Sequence, residues 1–161
     1  MLVLGIDPGI AITGIALVLE EKGKVILKHS DTILTSSSSS SSLRLLKLHK
    51  SLTSLIRKYH PDVCALESLF WGTNTKTALI VGQARGVVQL ALCQNEIPIF
   101  EYTPLQVKMA LTGYGRADKN QIQQMVKTIF KLPQILTPDD VSDAAAIALT
   151  HCFSYKVNNL K

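Results

Sequence analysis

VLGIDPGIAITGIAL, Val3 to Leu17, is the stretch on which the reading of this chain turns. It is entered by an apolar run, Leu2 to Ile6, too short to span a membrane and suited to a buried strand, which delivers one carboxylate, Asp7, to the strand's end. A charge at that place is costly unless something binds it. Pro8-Gly9 turns the chain, and Thr13 to Leu19 reads as a second strand returning antiparallel. Gly5, Gly9 and Gly14 keep the backbone around Asp7 bare. Alone, an Asp ending a buried strand is equally a turn former. Its meaning depends on whether other acids reach the same spot.

Downstream, the arrangement recurs. Pro61 stops a helix, and Val63 to Leu66 is a short apolar run that ends on a second acid, Glu67. Between the two runs, Lys24 to Leu34 reads as a third strand. Seven serines, Ser36 to Ser42, read as a solvated connection or flexible flap. Leu45, Leu48, Leu52, Leu55 and Ile56 mark one buried face of a helix over Leu43 to Tyr59. After Glu67 come a long helix, about Lys76 to Gln94, a fifth strand at Pro98 to Tyr102, and a brief helix through Leu111 capped by Thr103-Pro104. Small residues along the long helix, Ala78, Gly82, Ala84, Gly86 and Ala91, allow close packing on a sheet or on a twin helix. This order implies an α/β fold: a mixed five-stranded sheet opened by an antiparallel hairpin, with helices on both faces.

The 161 residues read as one domain, 1–161, with 47% hydrophobic and 18% charged residues. No stretch has the roughly 18 consecutive apolar residues of a membrane span, and no signal peptide is evident, so a cytoplasmic protein is expected. Cys64, Cys93 and Cys152 lie inside apolar patterns without zinc-ligand spacing and read as small core residues. A net charge of +5 leans toward a polyanionic partner.

The last helix opens at Thr137-Pro138-Asp139-Asp140, with Thr137 read as the cap and Pro138 as the first helical residue. Asp140 and Asp143, three apart, project from one face, and Ala144, Ile147 and His151 continue that stripe inward. Asp139, four before Asp143, is a rival that spacing does not separate from Asp140. Were Asp7, Glu67, Asp140 and Asp143 to converge, each pair at about 4 Å would repel by roughly 4 kcal/mol at an effective dielectric near 20. Hard oxygen donors without His or Cys select Mg2+ or Mn2+, and two divalent ions match four negative charges. Two such ions suit hydrolysis of a phosphodiester, one activating water and the other stabilising the leaving oxygen. The segment Thr112 to Asn120, with Arg116 and Lys119 beside Tyr114, reads as an exposed loop or a phosphate-contacting one leading into a helix over Lys119 to Phe130. Lys108 adds to the anion-binding surround.

LGIDPGIAITG at Leu4 to Gly14, ALESLF at Ala65 to Phe70, TALIVGQARG at Thr77 to Gly86, FEYTPLQVK at Phe100 to Lys108 and DDVSDAAAIALTHC at Asp139 to Cys152 together resemble the RuvC family of bacterial Holliday-junction resolvases. The resemblance implies a ribonuclease H-like fold, a homodimer, and magnesium-dependent paired nicking of four-way junction DNA that leaves 5'-phosphate and 3'-hydroxyl ends. It also implies the branch-migration proteins RuvA and RuvB as partners, in recombination and DNA repair. By position it makes Asp7, Glu67, Asp140 and Asp143 the metal-binding catalytic acids, choosing Asp140 over Asp139. It puts Phe70 where the family has an aromatic that wedges at the junction, and Lys108 and Lys119 near the scissile DNA. The helix bearing GQARG is where dimer contacts are expected. The tail after Cys152 is shorter than in many relatives, the serine run is unusual, and Trp71 adds a second aromatic beside Phe70.

Other readings compete. Another ribonuclease H-like nuclease, acting in RNA maturation, shares the GIDxG hairpin and an acid site. Actin-like ATPases and sugar kinases share the hairpin but need a second glycine-rich phosphate hairpin and a longer chain. A junction-binding module without catalysis is disfavoured, because four acids at its centre would repel phosphates.

Overall fold

The computed structural model describes residues 1–68 and 75–158. In chain order its elements are β1 (Leu2–Asp7), β2 (Ile12–Glu21), β3 (Lys24–Leu34), α1 (Ser41–Tyr59), β4 (Val63–Glu67), α2 (Thr75–Gln94), β5 (Ile99–Tyr102), α3 (Pro104–Thr112), α4 (Lys119–Phe130) and α5 (Asp139–Asn158). The sheet order is β3-β2-β1-β4-β5. The first three strands run antiparallel, and β4 and β5 add parallel beside β1. This is the mixed five-stranded sheet expected from the hairpin-led order.

Strand alternation sorts the side chains into two cores. Leu4 and Ile6 of β1, Ile15 and Leu17 of β2, and Cys64 and Leu66 of β4 face α1 and α2, meeting Leu48, Leu52, Ile56, Val88 and Leu92. Val3, Ala16, Val18 and Ala65 face the other way, onto α3, α4 and α5. Because β1 and β4 are buried on both faces, their runs are continuously apolar rather than alternating. The odd-numbered parity that turns Val3 and Ala65 toward α5 also aims Asp7 and Glu67, at the ends of their strands, to the α5 side.

α5 packs almost flush on the sheet. A Cβ at Gly5 would collide with the Ala144 carbonyl oxygen, and one at Gly14 with the Asp140 carbonyl oxygen. The bare glycines and the alanines facing them, Ala144 and Ala148, therefore let the helix backbone come down onto β1 and β2.

Several boundaries differ from the sequence reading. The serine run is not wholly a loop: Ser40 caps α1, its side chain accepting from the Leu43 N–H, and Ser41 and Ser42 are helical. Composition sees seven identical polar residues, whereas the cap is decided by the backbone angles of one. β2 is longer than Thr13 to Leu19, running from Ile12 to Glu21. α5 begins at Asp139, so Thr137 is not its cap nor Pro138 its first residue; the two are joined by a cis peptide just outside the helix. Cys64 and Cys152 are buried as expected, but Cys93 is exposed on the outer side of α2.

Candidate active site

The acids meet because of strand register. Asp7 is directly opposite Gly14 in the β1–β2 ladder, and Gly14 lies beneath the Asp140 carbonyl. The first turn of α5 is therefore set down over the end of β1. On the other side, Ile6 is level with Leu66 in the parallel β1–β4 pair, so Glu67 ends its strand beside Asp7. The turn between β1 and β2 is held by the buried Thr13, whose hydroxyl donates to the Gly9 carbonyl at 2.6 Å.

The electrostatics show the convergence. Burial first, and then the charges of Asp143, Glu67 and Asp140, push the Asp7 carboxyl from 3.8 up to about 7. Glu67 is raised by burial and by Asp143, with Arg85 and Lys119 pulling it back. Asp143 is raised by burial, against the hydrogen bond and charge of Lys119. Asp139 does not act on Asp7. It is exposed and faces α4, and its carboxyl is held low by hydrogen bonds from Lys119 and Gln123.

Lys119 is the first residue of α4, placed by a capping box in which Asp118 accepts from the Gln121 N–H and Gln121 accepts from the Asp118 N–H. Its ammonium is 3.1 Å from Asp143 Oδ2 and 3.1 Å from Asp139 Oδ2. Burial pulls the ammonium's pKa down, but the hydrogen bonds to the two carboxylates prevail and it is raised. Glu67, Asp143, Lys108 and Lys119 line a cavity of about 200 Å³ walled by Val107, Ile122 and Ile147. A second cavity, about 220 Å³, is lined by Asp7, Glu67 and Arg85 and shares Glu67 and Pro104 with the first. Arg116 is exposed on the loop between α3 and α4, outside the described lining of both cavities. Phe70, and Trp71 beside it, lie outside the described residues.

Arg85 on α2 is the residue that sequence reasoning missed. Its side chain is 7% exposed; one guanidinium nitrogen donates to the Glu67 carbonyl oxygen and the other pairs with Glu101 of β5. It thus ties the end of β4 to β5 and lowers the cost of ionising Glu67. Its neighbours Gly82, Ala84 and Gly86 mark the helix as a packing seam, and nothing in that pattern shows an arginine turned inward.

Among the described residues no three Asp, Glu, His or Cys side chains form a ready-made metal cage. The donor chemistry nonetheless fits a hard divalent cation. All four acids offer only oxygen, and Asp7 ionises near neutrality only against three other carboxylates, a cost that a cation among them would remove. An ammonium, at present shared between Asp143 and Asp139, offsets only part of that repulsion.

The family model for "Crossover junction endodeoxyribonuclease RuvC" matches residues 3–151. A crossover junction endodeoxyribonuclease RuvC from Caldicellulosiruptor saccharolyticus is 54% identical over 157 residues, covering 96% of this chain and 93% of its own length. The Thermus thermophilus RuvC structure superposes with a TM-score of 0.91 at 35% identity, covering 98% of this chain and 97% of that one. T. thermophilus RuvC in complex with a Holliday junction substrate superposes with a TM-score of 0.90 at 32% identity, over 98% and 96% of the two chains.

Proposed function

Because the chain belongs to the RuvC family of crossover junction endodeoxyribonucleases, we propose that it resolves Holliday junctions by paired symmetric nicks made at Asp7, Glu67, Asp140 and Asp143. The chain is a nuclease of the resolvase class, acting in recombination and repair. The observation that carries the residue assignment is the elevated Asp7, whose perturbation comes, after burial, from the other three acids.

The four carboxylates hold divalent metal, read as two Mg2+ ions with Mn2+ as a substitute. Metal held by these four carboxylates would supply activation of a water and charge neutralisation at the leaving oxygen, the chemistry that yields 5'-phosphate and 3'-hydroxyl ends. Lys108 and Lys119, on the rim of the cavity, bind the scissile phosphate and orient it, while Val107, Ile122 and Ile147 limit the water that reaches it. Arg116 contacts the DNA backbone farther out, and Phe70 acts at the crossover.

The working unit is a homodimer of single-domain subunits, 1–161, since a two-fold junction calls for two sites related by a two-fold axis. α2 presents an exposed stripe, Leu79, Gln83, Gly86 and Leu90, at helical spacing, with open space above Gly86 for a second helix. RuvA and RuvB are the proposed partners. No helix among the described residues is long and apolar enough to cross a membrane, and the cytoplasm is the proposed location.

Asp7→Asn tests the assignment. It removes a metal-binding charge while leaving the basic surround, so junction cleavage is expected to fall by about three orders of magnitude or more with junction binding kept. Equal loss of binding and cleavage in a folded variant would count against it.

A further inference from the structure

We propose that Asp139 is a positioning residue that holds the Lys119 ammonium over the acid site, an inference that rests on Lys119 and Asp143 belonging to the active site. Lys119 opens α4 with its side chain about half exposed. A lysine there has four rotatable bonds and much rotamer freedom to lose before it points anywhere in particular. Asp139 supplies the direction. Its Oδ1 accepts from Gln123 Nε2 at 2.9 Å and its Oδ2 accepts from Lys119 Nζ at 3.1 Å. Gln123 is 7% exposed and one helical turn after Lys119, so core packing fixes its amide, and the amide fixes the carboxylate. Asp139 and Asp143 are likewise one turn apart on α5, and the ammonium sits between them, 3.1 Å from each. When Asp143 is engaged otherwise, Asp139 keeps the ammonium at the cavity rim. Asp139 is not among the charges that shift Asp7; its carboxylate is bound toward α4, through Gln123 and Lys119.

A double-mutant cycle tests this, with single-turnover cleavage of a labelled four-way junction in magnesium, junction affinity in calcium, and the Lys119 ε-methylene NMR signal in chelator. Asp139→Asn is expected to slow cleavage about tenfold, the loss of one charge-assisted contact to Lys119, with junction affinity within about twofold. In the Lys119→Ala background the same substitution is expected to do nothing further. The Lys119 signal, identified by its disappearance in Lys119→Ala, should move toward those of the other surface lysines in Asp139→Asn. Undiminished slowing by Asp139→Asn in the Lys119→Ala background would make Asp139 an independent ligand and overturn the proposal, as would an unmoved Lys119 signal. If Lys119→Ala slows cleavage but Asp139→Asn does not, only the positioning role falls. If Lys119→Ala cleaves at the full rate, the active-site reading of Lys119 falls as well.

Discussion

Asp7 is the residue on which the site's electrostatics concentrate, and its environment makes stability depend on pH. With a folded pKa of about 7 against 3.8, it keeps a proton that the unfolded chain has already released between about pH 4 and 7. The folded state binds more protons across that window, so this group makes stability fall as pH rises through it. Glu67 and Asp143, also raised, act in the same direction. Asp139 and His151, both lowered, act in the opposite direction, Asp139 near its low range and His151 as the unfolded imidazole deprotonates near 6.5. Urea unfolding of wild type and Asp7→Asn in chelator, at about pH 4.5 and about pH 7.5, separates the Asp7 contribution because the other groups are common to both proteins. The wild type is expected to lose more stability on going to the higher pH than the variant does; equal pH slopes would mean that Asp7 is not buried among acids. At this scale sequence was a partial guide. Asp7 and Glu67 were legible as acids ending apolar runs, but Asp139 and Asp140 are both compatible with helical spacing. Spacing alone left the two open and the family resemblance chose Asp140; in keeping with that choice, the Asp140 carbonyl is seated on Gly14 while Asp139 turns toward Gln123. Arg85 was illegible, since an arginine amid small residues reads as surface until its carbonyl and carboxylate partners are seen.

Among elements, the decisive contact is α5 on the β1–β2 hairpin, where helix backbone meets strand backbone across Gly5 and Gly14. Gly14→Ala would force the first turn of α5 away from the sheet, and backbone cannot yield as a flexible side chain can. A loss of about 1–3 kcal/mol or more is expected, typical of overpacking, read as a lower urea midpoint. Cleavage should fall beyond what the lost stability explains, because Asp140 and Asp143 would move off Asp7. Unchanged stability and cleavage would mean that α5 is not seated on Gly14. The strands and helices were mostly readable, since a run buried on both faces and a one-sided leucine stripe each leave a periodic mark. The start of α1 within the serines and the start of α5 after Pro138 were not, because caps depend on local backbone angles rather than on periodicity.

In the whole molecule, a sheet with α1 and α2 on one face and α3, α4 and α5 on the other leaves the acid cleft at one end of the strands and the α2 stripe free to meet a second copy. Leu79 and Leu90, 67% and 52% exposed, are large apolar surfaces to leave in water at helical spacing. Leu90→Glu is expected to give a folded monomer in analytical ultracentrifugation and unpaired nicks on junctions, whereas a dimer that persists would place the interface elsewhere. The net charge of +5 suits a DNA surface outside the acid cleft, but charge alone does not separate a junction from a linear duplex or an RNA. That distinction rests on family membership and on the match to a junction-bound relative. The most direct test is cleavage of a labelled synthetic four-way junction, with linear duplex and RNA as controls, in magnesium, calcium or chelator. Paired symmetric nicks on the junction alone, made in magnesium and absent in chelator, are the expected result. Cutting of linear duplex or RNA at a comparable rate, or nicking that survives chelator, would contradict the central claim that these four acids form a metal-dependent junction-resolving site.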